Sequence, residues 1–207
     1  MFNFIRMEKN TNGVQRINPQ TFNTPEDLLR FIETEDPHNG ITEAEKEEIN
    51  GIGTTLNIAL RHGHILDCYT QRQKDLFQRL INNNSLKESI VVHRAVESIE
   101  YELALAKNNG FSNDCLYHNA FVYTSLLEAY QRQIHLNILI PAGTHYLYTG
   151  SFSNTCGVYP PLEGSINEDI VGELILDIGT VLKIDKKRKK GKITIYDVHV
   201  DNFCTKI

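Results

Sequence analysis

Gly172-Glu173-Leu174-Ile175-Leu176-Asp177-Ile178-Gly179-Thr180 sets a single carboxylate at the mouth of an apolar run. The run reads as a buried strand that turns at Gly179 and Thr180 and continues as Val181-Leu182-Lys183-Ile184 before a hairpin returns the chain through Ile193 to Val200. A carboxylate entering such a strand is costly to bury unless it is paired or used. Glu173 is therefore the first candidate for chemistry.

Working outward, strands are expected at Ile90 to Val96, Ala120 to Leu126, His135 to Ile140 (closed by Pro141-Ala142-Gly143) and Thr144 to Thr149. The interval from Gly150 to Val171 carries Ser, Asn, Gly and paired prolines, and a loop of that length in a compact domain is more often functional than idle. Further upstream the period becomes helical. Thr24-Pro25-Glu26-Asp27 opens one helix; Thr42 and Glu45 have capping-box spacing ahead of a stripe of Ile49, Ile52, Leu56 and Ala59 that stops at Gly63. A third helix follows Thr70 with Leu76, Phe77, Leu80 and Ile81 inside, a short one spans Ile99 to Ala106, and one or two turns are expected between Leu127 and Gln133. This predicts an α+β protein: a loose arm over residues 1–23, then a single domain over 24–207 whose helical part is 24–88 and whose β core is 89–207.

The chain has 207 residues, 41% of them hydrophobic, enough to bury a real core, and a formal charge of −5 that argues against an overall basic nucleic-acid binder. Cys68, Cys115, Cys156 and Cys204 form no Cys-x-x-Cys pair, so neither a zinc knuckle nor a dense disulfide framework is indicated. No secretory leader or membrane-length apolar run is visible, which points to action in a cytosol, the producer's or a target cell's. Gly51-Ile52-Gly53 lacks the third glycine and the preceding strand of a dinucleotide fingerprint, and no phosphate loop or nucleophile elbow is present. His62 and His64 flank Gly63 at a helix end, where they meet carbonyls more often than a metal, and nothing else calls for a metal.

Arg94 lies inside Ile-Val-Val-His-Arg-Ala-Val, and a guanidinium there needs a partner, which a phosphate pair or a structural salt bridge would supply. Tyr123-Thr124-Ser125 is a hydroxyl-bearing strand whose groups either shape a site or bond locally to backbone. Together with Glu173, in this order, the segments Val91-Val92-His93-Arg94-Ala95, Ala120 to Leu126, Ile138 to Thr144 and Gly172 to Ile184 resemble the Arg-Ser-Glu class of mono-ADP-ribosyltransferases, which includes clostridial Rho-modifying exoenzymes and the enzymatic parts of binary toxins. The resemblance covers about residues 42 to 200. It implies a helical layer on a two-sheet mixed β core with a central NAD cleft. It also implies that Arg94, with His93, Tyr123, Thr124 and Ser125 around it, holds NAD as co-substrate, and that Glu173, with Ser125 and Tyr123, serves catalysis. A fixed carboxylate stabilises the oxocarbenium character that develops as nicotinamide leaves.

Two departures stand out. The class usually has Ser where Tyr123 stands, and many members carry Glu or Gln where this chain has Val171. An apolar Val cannot activate an arginine or hydrogen-bond an asparagine, so other acceptors rise, protein side chains and nucleic-acid bases alike. Lys186-Lys187-Arg188-Lys189-Lys190 would suit a phosphate backbone, yet it falls where a solvated hairpin turn is expected. Phe152, Tyr159, Leu162 and Val171, in or beside the long loop, are placed for recognising a target. The expectation is an ADP-ribosyltransferase toxin or effector acting on a macromolecular acceptor, with a neutralising antitoxin or immunity protein implied for a producing cell. The alternatives are an NAD glycohydrolase and a catalytically inactive binding module of the same fold.

Overall fold

A computed structural model describes residues 6–10, 13–50, 54–106, 114–128, 132–150 and 172–201. Its first elements are strands β1 (Arg6–Asn10) and β2 (Gly13–Ile17), an antiparallel pair inside the stretch read as a loose arm. Attachment to the main body begins by Gln20, which bridges Ile90, and Phe22 is buried in the core.

Helix α1 (Pro25–Glu35) begins where Thr24 and Asp27 satisfy each other's backbone N–H groups, a reciprocal cap that ends the extended chain there. Helices α2 (Glu43–Asn50) and α3 (Thr54–His62) occupy the span expected as one helix, with 51–53 outside the described residues. α3 stops at Gly63, whose φ of 66° favours glycine. Helix α4 (Cys68–Asn83) starts ahead of Thr70 because the Asp67 carboxylate accepts from the Thr70 N–H at 2.8 Å. Helix α5 (Ser98–Ala106) follows strand β3 (Ile90–Val96).

The remaining strands are β4 (Cys115–Tyr117), β5 (Val122–Ser125), β6 (Ile134–Ile140), β7 (Leu147–Tyr148), β8 (Glu173–Leu176), β9 (Val181–Lys190) and β10 (Ile193–Val200). Where the resemblance implies two sheets, hydrogen bonding joins eight strands in the order β4-β9-β10-β6-β3-β5-β8-β7, mixed because β10 and β6 run parallel. The joint between its two parts is narrow: His93↔Ser125 is the one registered pair between β3 and β5. One face packs α1 and α5 through Phe31, Tyr101, Leu136, Val198 and their neighbours. The other packs α2 to α4 through Ile49, Leu56, Phe77 and Leu80 against Phe121, Leu147 and Ile175.

The basic run is a strand, not a turn. Lys186 to Lys190 pair with Asp197 to Ile193, and the reversal comes at Gly191 and Lys192 instead. Cross-strand partners hold the run extended: Arg188 is ion-paired with Asp197, and the Lys187 ammonium stands 5.3 Å from the centre of the Tyr196 ring.

Candidate active site

Antiparallel register lays β3, β5 and β8 side by side, with His93 opposite Ser125 and Ser125 opposite Glu173. Strands stand about 4.8 Å apart, so Glu173 lies about 10 Å from His93 across the sheet. Arg94 is the next residue along β3. A guanidinium and a carboxylate, 79 positions apart in sequence, thus stand on strands separated by β5 alone.

Arg94 is buried, and its guanidinium donates to the Tyr123 carbonyl and to the Glu100 carboxylate. Its Nε is buried without a hydrogen-bond partner among the described residues. Glu100 also binds Arg61 of α3 at 2.9 Å, so one carboxylate is shared by two guanidiniums. Burial, reinforced by the like charge of Arg94, draws Arg61 below the usual arginine range against the pull of Glu100. Beside them His118 is pushed down to about 3, first by burial and then by Arg94 and Arg61, and its Nε2 is buried without a partner among the described residues. Arg61, Glu100, His118 and Asn119 wall a cleft of about 200 Å³ whose lining includes neither Glu173 nor Arg94, although Arg94 is ion-paired with Glu100 in its wall.

The hydroxyl strand divides its labour. Thr124 donates to the Leu174 carbonyl at 2.7 Å, tying β5 to β8, and Ser125 donates to the His93 carbonyl at 3.3 Å, tying β5 to β3. Glu173 receives the Thr149 hydroxyl at 2.6 Å, while the Thr149 N–H binds the Glu173 carbonyl at 3.0 Å. Tyr123 is pushed up to about 12, by burial first and by Glu173 second, while Arg61 and Arg94 pull the other way. Its phenol therefore feels both ends of the constellation. His93 holds Asn137 at 3.1 Å and is lowered from the ordinary imidazole range by burial.

The mount of Glu173 depends on Gly172. Its φ is 65°, and an added Cβ would stand 3.0 Å from Leu28 and 3.1 Å from Leu126. A Cβ on Gly150 would in turn stand 3.2 Å from the Gly172 Cα, so the two ends of the 151–171 segment meet beside Glu173. Phe152, Tyr159, Leu162 and Val171 lie outside the described residues.

No family model matches the chain, and no curated protein matches it by sequence. Solved structures do. Plx2a, an ADP-ribosyltransferase toxin from Paenibacillus larvae, superposes with a TM-score of 0.67 at 19% identity, over 88% of this chain and 99% of that one. The chain has the fold of ADP-ribosyltransferase toxins. The Clostridium limosum C3 exoenzyme, with a TM-score of 0.66 at 12% identity over 89% and 98% of the two chains, has the same fold. So does C3stau2 from S. aureus, solved with NAD, at 0.63 and 18% over 89% and 99%.

Within this ADP-ribosyltransferase fold the residues that sequence reading missed are Arg61, Glu100, His118 and Thr149. A signal for the first was present: Asn57 and Arg61 stand one helical turn apart on α3, and Asn57 clamps Phe121 by donating to its carbonyl and accepting from its N–H, both at 2.9 Å. That clamp holds the Arg61 face of α3 against the start of β5. Among the described residues no group of three or more His, Cys, Asp or Glu side chains is arranged to hold a metal, and no helix is long and apolar enough to cross a membrane.

Proposed function

We propose that the protein transfers ADP-ribose from NAD to a macromolecular acceptor, as a toxin or effector working in a cytosol. The observation that carries this reading is the fold shared with ADP-ribosyltransferase toxins over nearly the whole chain, in which Arg94 lies on β3 and Glu173 opens β8. The NAD pyrophosphate supplies the same acceptor oxygens that Glu100 now offers to two guanidiniums, and the unpartnered Nε of Arg94 leaves a further donor for it. Held at that end, the dinucleotide extends across the joint between the two parts of the sheet toward Glu173.

There the bond between the ribose anomeric carbon and nicotinamide breaks, and its electron pair leaves with the neutral base. The carboxylate of Glu173, aimed by Thr149, stabilises the cationic sugar more than the neutral one. The acceptor nucleophile attacks the anomeric carbon and loses its proton. Tyr123, staying protonated, walls the ring side of the site, and Thr124 and Ser125 fix the strands that carry the charged groups. Phe152, Tyr159 and Val171 belong to the segment that meets the acceptor, and a neutralising partner would protect a producing cell.

Incubation with labelled NAD and whole-cell extract tests the reading: label becomes attached to macromolecule, and release by protease or by nuclease tells protein from nucleic-acid acceptor. Val171 favours a second reading, NAD hydrolysis with water as acceptor, in which all label appears as free ADP-ribose. NAD consumption that is the same in wild type and Glu173→Gln, at the background rate, defeats both and leaves a binding module.

A further inference from the structure

Five polar residues stand in one row across the sheet. Register pairs Glu173 with Ser125, Ser125 with His93, His93 with Asn137, and Asn137 with Asp197. Alternation along strands puts directly paired residues on the same face. Asn137 is 3% exposed and Asp197 8%, within strands whose other residues are largely apolar, and polar groups so placed persist only when hydrogen-bonded.

The bonds at the far end of the row run in one direction. Arg188 can only donate, and it holds one carboxylate oxygen of Asp197. The ionised carboxylate can only accept, so the Asn137 atom 2.8 Å from its other oxygen is the amide nitrogen. Asn137 then turns its carbonyl oxygen to His93 Nδ1 at 3.1 Å, and that oxygen requires a donor. The proton is therefore on Nδ1, and in the neutral ring Nε2 is left as an acceptor. Burial holds His93 below the ordinary imidazole range and His135 adds to this, while Asn137 and Glu128 oppose it.

We propose that Asn137, Asp197 and Arg188 are positioning residues that lock His93 in its Nδ1–H tautomer, so that Nε2 accepts a hydrogen bond from a ribose hydroxyl of bound NAD. The ligand half of this proposal rests on the NAD-dependent reading above; the tautomer half does not. His93 shares its row with Ser125 and Glu173, so the acceptor nitrogen belongs to the row that carries the carboxylate, about 10 Å from it. A sugar hydroxyl is the O–H donor that the dinucleotide brings to such a row.

Long-range proton–nitrogen correlation of the imidazoles in ¹⁵N-labelled protein without ligand reads the tautomer directly. His93 is expected as a single Nδ1–H form in wild type and as a mixture in Asp197→Asn. Saturating NAD, added to the Glu173→Gln protein to suppress turnover, is expected to shift the Nε2 resonance. By calorimetry, Asp197→Asn and Asn137→Leu are expected to weaken NAD binding about 2- to 10-fold. An Nε2–H tautomer in wild type overturns the proposal while leaving the NAD reading intact, as does an Nε2 resonance unmoved by bound NAD. If His93 is Nδ1–H but neither wild type nor Glu173→Gln binds NAD, the NAD reading has failed and takes the ligand half with it.

Discussion

Strand β3 has two neighbours and treats them differently. With β6 it is in register from Ile90↔Ile140 to Val96↔Ile134, an unbroken ladder; with β5 it shares His93↔Ser125 alone. Where a ladder lapses, buried backbone groups need other partners. Side chains of the candidate site supply them: Ser125 binds the His93 carbonyl and Arg94 the Tyr123 carbonyl. The ladder side is held by backbone and apolar packing. The joint is held by side chains of the candidate site, so a ligand that engaged Arg94 would compete with part of the stitching.

The comparison can be broken most sharply by a pair of variants. Glu173→Gln, beside the joint, is expected to lower kcat about 10²–10³-fold with little change in thermal midpoint. Leu136→Ala, on the ladder, is expected to cost about 2–5 kcal/mol in urea unfolding, with NAD consumption per folded molecule unchanged. Interchanged outcomes would remove the distinction. Gly172→Ala forces a side chain into a left-handed backbone against Leu28 and Leu126, and is expected to cost about 2 kcal/mol or more and to lower activity through a displaced Glu173. Thr149→Val keeps the shape but removes the hydroxyl from the carboxylate, and a roughly 10-fold fall in kcat with smaller change in KM is expected from steady-state rates.

The mildest probe is pH. His118 has a folded pKa of about 3 against 6.5, so between those values the unfolded chain binds the proton and the folded one does not. Its contribution to stability is intact above pH 6.5 and is lost as pH falls below it, by about 1.4 kcal/mol per unit at most. Urea unfolding of wild type and His118→Gln at pH 7.5 and 5.5 checks the sign: the variant should lose less on acidification.

Much of this arrangement is legible in the sequence because single residues break a strong pattern. Arg94 and Glu173 interrupt apolar strands, and the strands themselves are dense in Ile, Val and Leu, so β3, β6 and β8 are expected close to where they lie. The basic strand was hidden because Lys and Arg give no alternation to read, and its extended form is fixed by partners on β10, a tertiary effect. β4 is three residues long, too short to show a period. Glu100 and His118 escaped for a different reason. A glutamate on a short helix and a histidine after a short strand are ordinary in isolation, and only packing draws them against Arg61 and Arg94. Asn137 and Asp197 are unremarkable until register sets them side by side.

The touching of Gly150 and Gly172 has an evolutionary corollary. Everything between them departs and comes home through one doorway, fastened by the Thr149–Glu173 clasp just inside it. Closure entropy grows only logarithmically, about 0.6 kcal/mol for each doubling of length. A segment of different size and composition could therefore be exchanged there while the strands behind the door stay as they are.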